Sequence, residues 1–266
     1  MASGSVITSS DAIARRFADL RATGKRALVP YITAGHPDEG RTIELLNALG
    51  ESGADVIELG LPFSDPMADG PIIQASSQRA LELGMNFDRM LDLVARARAR
   101  VPLVLFSYVN PILSAGPDAL SRASEAGFSG LLLTDVPVGA DPELEARLGQ
   151  GPLAFIRLVA PTTPQARMRE IAAHGSGFVY LISRTGVTGL REELPPELPE
   201  TVARLRSATT LPVCVGFGVS RPDHAAAVAR IADGVVVGSA MVRAAGEGVD
   251  QAAALATSLR AAIDAA

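Results

Sequence analysis

The sequence is poor in several residue types, and each scarcity argues against a class of protein. The 266 residues include no Trp and a single Cys, Cys214. One cysteine cannot form an intramolecular disulfide framework, and it is typical of a protein in a reducing compartment. No apolar run approaches the roughly 20 residues that a membrane-spanning helix needs. The three histidines, His36, His174 and His224, do not have the spacing of metal ligands.

The charge of the chain is small, with a formal net charge of −5 at pH 7. Lys and Arg are scattered rather than clustered, which argues against an extended nucleic-acid-binding surface. The first ten residues are polar and lack a hydrophobic core, so we expect no signal peptide. These features indicate a cytoplasmic protein that binds neither nucleic acid nor membrane.

The chain does contain a regular alternation of short apolar segments and helical patterns. The apolar segments are nearly continuous, as in parallel strands that are covered on both faces. They predict eight strands, at 27–32, 56–59, 103–106, 130–134, 154–158, 178–182, 213–216 and 234–237. Amphipathic patterns predict helices between them, at 38–51, 86–100, 117–126, 164–174, 197–207, 221–230 and 250–265.

Eight βα units in a chain of this length predict an α/β protein, a (β/α)8 TIM barrel that forms one domain over 1–266. An extra helix at 11–21 is expected to close the barrel floor, and another at 70–82 is inserted after the second strand. The competing fold is an open doubly wound sheet. The strand count and the absence of a Gly-x-Gly-x-x-Gly turn after the first strand disfavour it.

The most informative segment is 54–71. Its apolar run ends in Glu58, and a loop rich in Gly, Pro and Ser follows with Asp65 and Asp69. An unpaired carboxylate at the end of a buried strand is costly, so Glu58 points to a function. Two carboxyl groups in one cleft can differ in pKa and divide acid and base work. Spacing alone leaves Asp69 equally open to being a turn residue, which is the interpretation we favour for Asp65.

Glycine-rich turns follow the seventh and eighth strands. Gly216-Phe217-Gly218 and Gly238-Ser239 lie where many barrels bind phosphate through backbone N–H groups and the N-terminus of a short helix. The alternative is two tight turns without a ligand. The polar segment that begins at residue 183 predicts a mobile lid with Thr188 facing inward, and the alternative is a connection without a role.

These motifs together resemble one known family, the tryptophan synthase alpha subunits, along almost the full chain. The matching segments are 30–35, 58–71, 180–189, 216–218 and 238–239. The resemblance implies a carbon–carbon lyase that cleaves indole-3-glycerol phosphate to indole and glyceraldehyde 3-phosphate without a cofactor or metal. It also implies a partner, the pyridoxal-phosphate β subunit of an α2β2 heterotetramer, which receives the indole for tryptophan biosynthesis. Segments 61–67 and 110–117 are expected at or near that interface.

The resemblance further assigns roles to single residues. Asp69 is expected to accept a hydrogen bond from the indole N–H, and Glu58 to move protons to C3 and from the glycerol hydroxyl. The expected substrate-binding residues are Tyr31, Tyr108, Tyr180, Thr188, Gly189, Phe217, Gly218, Gly238 and Ser239. Tyr31 replaces a Phe that some relatives have and adds a hydroxyl.

Three other functions stay open. Another phosphate-binding barrel, such as a sugar-phosphate isomerase, would keep the glycine turns but would not need the Glu58 and Asp69 pair. A non-catalytic regulatory subunit predicts the loss of one acid, and both acids are present. A stand-alone lyase would share every site residue and would differ by releasing indole rapidly without a β subunit.

Overall fold

The computed structural model describes residues 11–182, 194–216 and 218–266, and in them eight parallel strands close into a barrel. Each strand pairs with its neighbour in the chain, and β8 pairs with β1. The strands are β1 (Ala27–Thr33), β2 (Ile57–Gly60), β3 (Leu103–Ser107), β4 (Phe128–Leu133), β5 (Ala154–Val159), β6 (Val179–Ile182), β7 (Val213–Gly216) and β8 (Gly234–Val237). The predicted TIM barrel is confirmed, and the predicted strands match these bounds to within two residues.

The helices of the described ranges surround the barrel. They are α1 (Asp11–Ala22), α2 (Glu39–Glu51), α3 (Pro71–Glu82), α4 (Phe87–Ala97), α5 (Val109–Ser114), α6 (Ala119–Ala126), α7 (Pro142–Gly149), α8 (Gln165–Ala173), α9 (Leu198–Arg206), α10 (Pro222–Ala229), α11 (Ser239–Glu247) and α12 (Val249–Asp264). Within the described part of the chain, none of these helices has both the length and the apolar character needed to cross a bilayer.

Two helix predictions need correction. The helix predicted at 86–100 ends at Ala97, because Arg98 has a φ of 51° and this left-handed backbone stops the helix. The segment 110–117, for which the sequence predicts a loop that starts at Asn110-Pro111, contains most of α5 instead. Pro111 lies in the first turn of α5, where no intrahelical N–H bond is required of it.

The inward and outward faces of the strands form two separate cores. The outward side chains pack against the helices, and the inward ones, such as Val56 and Ile156, fill the barrel. Helix α1 adds Ile13 and Phe17 to this inner core. A Cβ at Gly130 on β4 would lie only 2.7 Å from the Ile13 Cδ1 atom, so this glycine makes room for α1. The prediction that an N-terminal helix closes the barrel floor is therefore confirmed.

Asp55 fastens this floor to the outer helices. One carboxylate oxygen accepts the backbone N–H of Leu28 at 2.7 Å and lies 3.1 Å from Nη1 of Arg260 on α12. The other oxygen accepts Nε–H of Arg16 on α1 at 3.0 Å. Three donors from three elements thus converge on one buried carboxylate.

Candidate active site

The strands are parallel, so their C-terminal ends meet at one rim of the barrel, where function is expected in this fold. Tyr31 on β1 is the register partner of Glu58 on β2. Tyr108 follows β3 and caps α5, Tyr180 lies in β6, and Gly238 follows β8. The structure thus places these predicted residues at the rim. Thr188, Gly189 and Phe217 lie outside the described residues.

Glu58 is a buried carboxyl group with an unsatisfied oxygen. Glu58 is 1% exposed, and its Oε1 atom has no hydrogen-bond partner within the described residues. Burial disfavours the charged form and raises the pKa of Glu58 to about 8. At neutral pH the side chain is therefore a carboxylic acid that holds a proton to donate.

Asp69 lies in the loop between β2 and α3 and has a different environment. Its backbone N–H bonds the carbonyl oxygen of Pro66 at 3.1 Å, which closes a turn immediately before α3. Burial raises the pKa of Asp69 to about 6, and a hydrogen bond from Tyr108 opposes this rise. Most Asp69 side chains are therefore ionised at pH 7.

Tyr108 holds the loop that carries Asp69. Its hydroxyl oxygen accepts the backbone N–H of Ala68 at 2.9 Å and donates to the Asp69 carboxylate. Its ring packs at 5.2 Å from the ring of Phe63 in the same loop. One phenol thus fixes both the backbone and the carboxylate at this point.

Tyr31 connects the two acids electrostatically. Burial raises the pKa of its phenol well above the usual range, and the charge of Asp69 and then that of Glu58 raise it further. Its ring packs edge-on against Phe106 at 5.1 Å. Tyr31 therefore lies within electrostatic reach of both carboxyl groups.

Two glycines make room for Tyr31 and Tyr180, and the sequence predicted this role for neither of them, although Gly216 lies in the glycine-rich turn after the seventh strand. A Cβ at Gly60 would overlap the Tyr31 hydroxyl, and a Cβ at Gly216 would overlap the Tyr180 hydroxyl. In both cases the glycine is the last residue of the strand that follows the tyrosine's own strand. In each case the glycine lies two residues after the residue that pairs with the tyrosine across the two strands. This spacing is the feature of the sequence that could have identified the contact.

The rim at β7 and β8 presents backbone donors. Gly218 has a φ of +93°, a conformation that favours glycine. Helix α11 begins at Ser239, directly after Gly238, and a Cβ at Gly238 would meet only Ile73 Cδ1 at 4.0 Å. The first N–H groups of a helix have no intrahelical partner, so this end of α11 is suited to an anion.

Helix α3 joins the two sides of the site. Its Ile73 packs with Tyr31 and with Val242 of α11 in a small buried cluster. Its Ser76 hydroxyl lies 2.7 Å from the Thr33 hydroxyl on β1. The sequence predicted this helix but not its contacts. Among the described residues, no group of three or more His, Cys, Asp or Glu side chains is arranged to hold a metal ion.

Sequence comparisons agree on one family. The family model described as tryptophan synthase alpha chain matches residues 17–265. The tryptophan synthase alpha chain of Geobacter sulfurreducens is 50% identical over 234 residues, which cover 87% of this chain and 89% of that one. The corresponding chain of Desulfatibacillum aliphaticivorans is 49% identical over 234 residues, covering 87% of this chain and 88% of that one.

Solved structures lead to the same family. Tryptophan synthase of Mycobacterium tuberculosis matches with a TM-score of 0.87 and 36% identity, over 94% of this chain and 97% of that chain. Tryptophan synthase subunit alpha from Legionella pneumophila also matches with a TM-score of 0.87 and 36% identity, over 98% of this chain and 100% of that chain. The chain therefore belongs to the tryptophan synthase alpha chain family, a family of lyases.

Proposed function

We propose that this chain cleaves indole-3-glycerol phosphate by a retro-aldol reaction and passes the indole to a tryptophan synthase β subunit for L-tryptophan synthesis. Family membership supports the reaction class. The observation that carries the mechanism is the contrast between Glu58, with a pKa raised to about 8, and Asp69, with a pKa of about 6. At pH 7 the first acid holds a proton and the second is mostly ionised.

In this mechanism Glu58 is the general acid and then the general base. It gives its proton to C3 of the indole ring, which leaves a positive charge on the ring. The Glu58 carboxylate then accepts the proton of the glycerol hydroxyl next to the ring. The carbon–carbon bond breaks, its electrons return to the ring to restore indole, and the hydroxyl carbon becomes the aldehyde. Glu58 ends protonated again, as its burial favours.

Asp69 stabilises the charge that appears between these two steps. An ionised carboxylate that accepts the indole N–H lowers the free energy of the cationic ring, most strongly in a dry site. The hydrogen bond from Tyr108 lowers the pKa of Asp69, which favours the ionised carboxylate, and it fixes the position of that carboxylate. We assign the walls of the indole pocket to Tyr31, Tyr108 and Tyr180.

The phosphate of the substrate is assigned to the rim at β7 and β8. Gly218, Gly238 and Ser239 would supply backbone N–H groups, with the N-terminus of α11 adding its partial positive charge. We retain Gly189 and Phe217 as further contacts and Thr188 as the inward residue of a lid, on the family resemblance alone.

The β subunit is assigned to a surface beside the Asp69 loop. Met67 is 87% exposed and Leu113 is 46% exposed, and both lie in the two segments expected at this interface. Burial of these two apolar side chains against a partner would contribute favourably to binding. Leu61 is buried, so the later residues of segment 61–67 would make the contact. We place this assembly in the cytoplasm, which fits the single cysteine, Cys214.

The test is indole formation from indole-3-glycerol phosphate by the purified chain, with and without a β subunit. We expect slow turnover alone, faster turnover with the β subunit, and a loss of about 100-fold or more in Asp69→Asn. Asp65→Asn changes an exposed acid of the same loop and is the matched control for the assay without a β subunit. No turnover with the β subunit present, or full activity of Asp69→Asn, would contradict the proposal.

A further inference from the structure

A buried ion pair lies outside the barrel, away from the rim. Arg157 on β5 is 4% exposed and pairs through Nη2 with Glu145 of α7. Its Nε–H donates to the carbonyl oxygen of His174 at 3.0 Å, and its guanidinium lies 3.9 Å above the centroid of the Phe155 ring. Burying two charges is costly even when they pair, and an apolar pair is often no less stable. The pair therefore calls for a role beyond stability.

The ion pair and one neighbour bond the backbone of the loop between β4 and α7. Arg157 Nη1–H donates to the carbonyl oxygen of Val136 at 3.3 Å. Glu145 Oε2 accepts the backbone N–H of Gly139 at 2.9 Å. Arg167 of α8 donates to the carbonyl oxygen of Val138. Side chains from three elements thus fix this loop at three points.

The same loop reaches the active site through Asp135. Its Oδ1 atom accepts the backbone N–H of Val109 at 2.9 Å. Val109 is the first residue of α5 and directly follows Tyr108, whose hydroxyl contacts Ala68 and Asp69. A continuous set of contacts therefore runs from the buried ion pair to the Asp69 carboxylate.

We propose that Arg157 and Glu145 are positioning residues for the lyase site: they fix the loop that carries Asp135, and Asp135 fixes the backbone from which Tyr108 holds Asp69. The inference rests on the proposed function for its effect on rate, but its effect on Asp69 does not depend on substrate. The guanidinium suits this role because its planar donors bond several acceptors in fixed directions, which an apolar side chain cannot do.

The first measurement is steady-state indole formation by Arg157→Met and Asp135→Ala, since alanine removes the oxygen that accepts the Val109 N–H. We expect kcat to fall about tenfold in each, with KM changed by less than about twofold, because the loss lies in the alignment of Asp69. The double variant should lose no more than either single variant, since both act through one set of contacts. Additive losses would overturn the proposal.

Two control variants separate positioning from stability. Arg206→Met breaks a different ion pair, with Asp233, which directly precedes the N-terminal end of β8. Leu259→Ala removes a buried side chain of α12 and lowers the thermal stability without touching the loop. Neither control should reduce kcat as Arg157→Met does. An equal reduction in Leu259→Ala would overturn the positioning role.

The second measurement is the titration of the Asp69 carboxyl by carbon-13 NMR, which needs no substrate. The hydrogen bond from Tyr108 lowers the pKa of Asp69, so its loss should move that pKa upward from about 6. The titratable groups that act on this part of the site are Tyr31 on β1, Tyr108 after β3 and Glu58 on β2. None of these residues is substituted, so an upward shift in Arg157→Met reports a displaced Tyr108.

The two measurements fail in different ways. A wild-type chain without lyase activity contradicts the proposed function, and the Asp69 titration still decides whether Arg157 positions Tyr108. An active wild type with unchanged kcat and an unchanged Asp69 titration in Arg157→Met overturns the further inference. Arg157→Lys should recover only part of the loss, because one ammonium cannot reach all three acceptors. Complete recovery would also overturn it.

Discussion

Two buried acids lie three residues apart, Asp55 just before β2 and Glu58 within it, and they differ in their hydrogen-bond partners. Asp55 is 2% exposed, and its carboxylate accepts hydrogen bonds from Arg16, Arg260 and the backbone of Leu28. Glu58 is equally buried, but its Oε1 atom has no partner among the described residues. The difference between them is therefore one of partners and not of burial.

The comparison separates stability from function along one strand. Asp55 lies at the N-terminal rim, where it ties α1 and α12 to the barrel, and an ionised carboxylate suits that task. Glu58 lies at the C-terminal rim, where loops admit a substrate, and its raised pKa keeps a proton available. Among the described residues, the buried carboxyl oxygen without a hydrogen-bond partner lies at the end of the strand where chemistry is expected.

The largest expected effect comes from Glu58→Gln. The amide keeps the shape of the side chain but cannot transfer the proton, so kcat for indole formation should fall by about 10²–10⁴-fold. The stability at pH 7 should not fall, because no ion pair is broken. Activity assays paired with urea unfolding check both statements. A variant that is unstable and still active would reverse the roles given to the two acids.

Asp55→Asn should give the opposite pattern. Its replacement leaves two arginines without their buried counter-charge, so the free energy of unfolding should fall by about 3 kcal/mol, with kcat changed less than about twofold. Asp264→Asn is the control, since Asp264 pairs with the same Arg260 on the surface of α12. That control should cost less than about 1 kcal/mol. Equal losses of unfolding free energy in Asp55→Asn and Asp264→Asn would show that the buried ion pairs of Asp55 stabilise the fold no more than a surface pair does.

The pH dependence of stability sharpens the comparison. The folded-state pKa of Glu58, about 8, is above the unfolded value near 4.5, so the folded state binds the extra proton between these values. Its stabilising contribution is complete below about pH 4.5 and is lost as the pH rises to about 8. By pH 7 the loss is on the order of 3 kcal/mol. Urea unfolding from pH 5 to 8 should show a smaller decline in Glu58→Gln than in the wild type, because only Asp69, whose pKa is raised to about 6, still contributes to it. Parallel curves would show that Glu58 titrates normally.

The sequence was sufficient for the barrel because the strand signal is local. Each strand is a short apolar run that needs no knowledge of its neighbours. Helix α7 was not predicted, although Asp141 and Pro142 form a helix start that the sequence displays. Helix α5 differs from the prediction for the opposite reason, since Asn110-Pro111 is typical of a loop but proline is also tolerated in the first turn of a helix.

The site was predictable only in part because its contacts join distant residues. Glu58 could be singled out from a carboxylate at a strand end. The bond between Tyr108 and Ala68 spans 40 residues, and its existence depends on how two loops fold back. The roles of the acids came from family resemblance, since spacing alone left Asp69 as a possible turn residue. They stay predictions until the variants are measured.

The smallest expected effect concerns the Tyr31 hydroxyl, which occupies the space over Gly60, two residues beyond Glu58. Tyr31→Phe keeps the ring against Phe106, and the phenol is neutral at pH 7, so kcat/KM should change less than about threefold.

Gly60→Ala in the wild type should cost about 2 kcal/mol of stability, because its Cβ overlaps the Tyr31 hydroxyl. The same substitution in Tyr31→Phe should cost much less. A double-mutant cycle measured by urea unfolding tests this, and independent costs would mean that Gly60 is required by the β2 backbone and not by Tyr31.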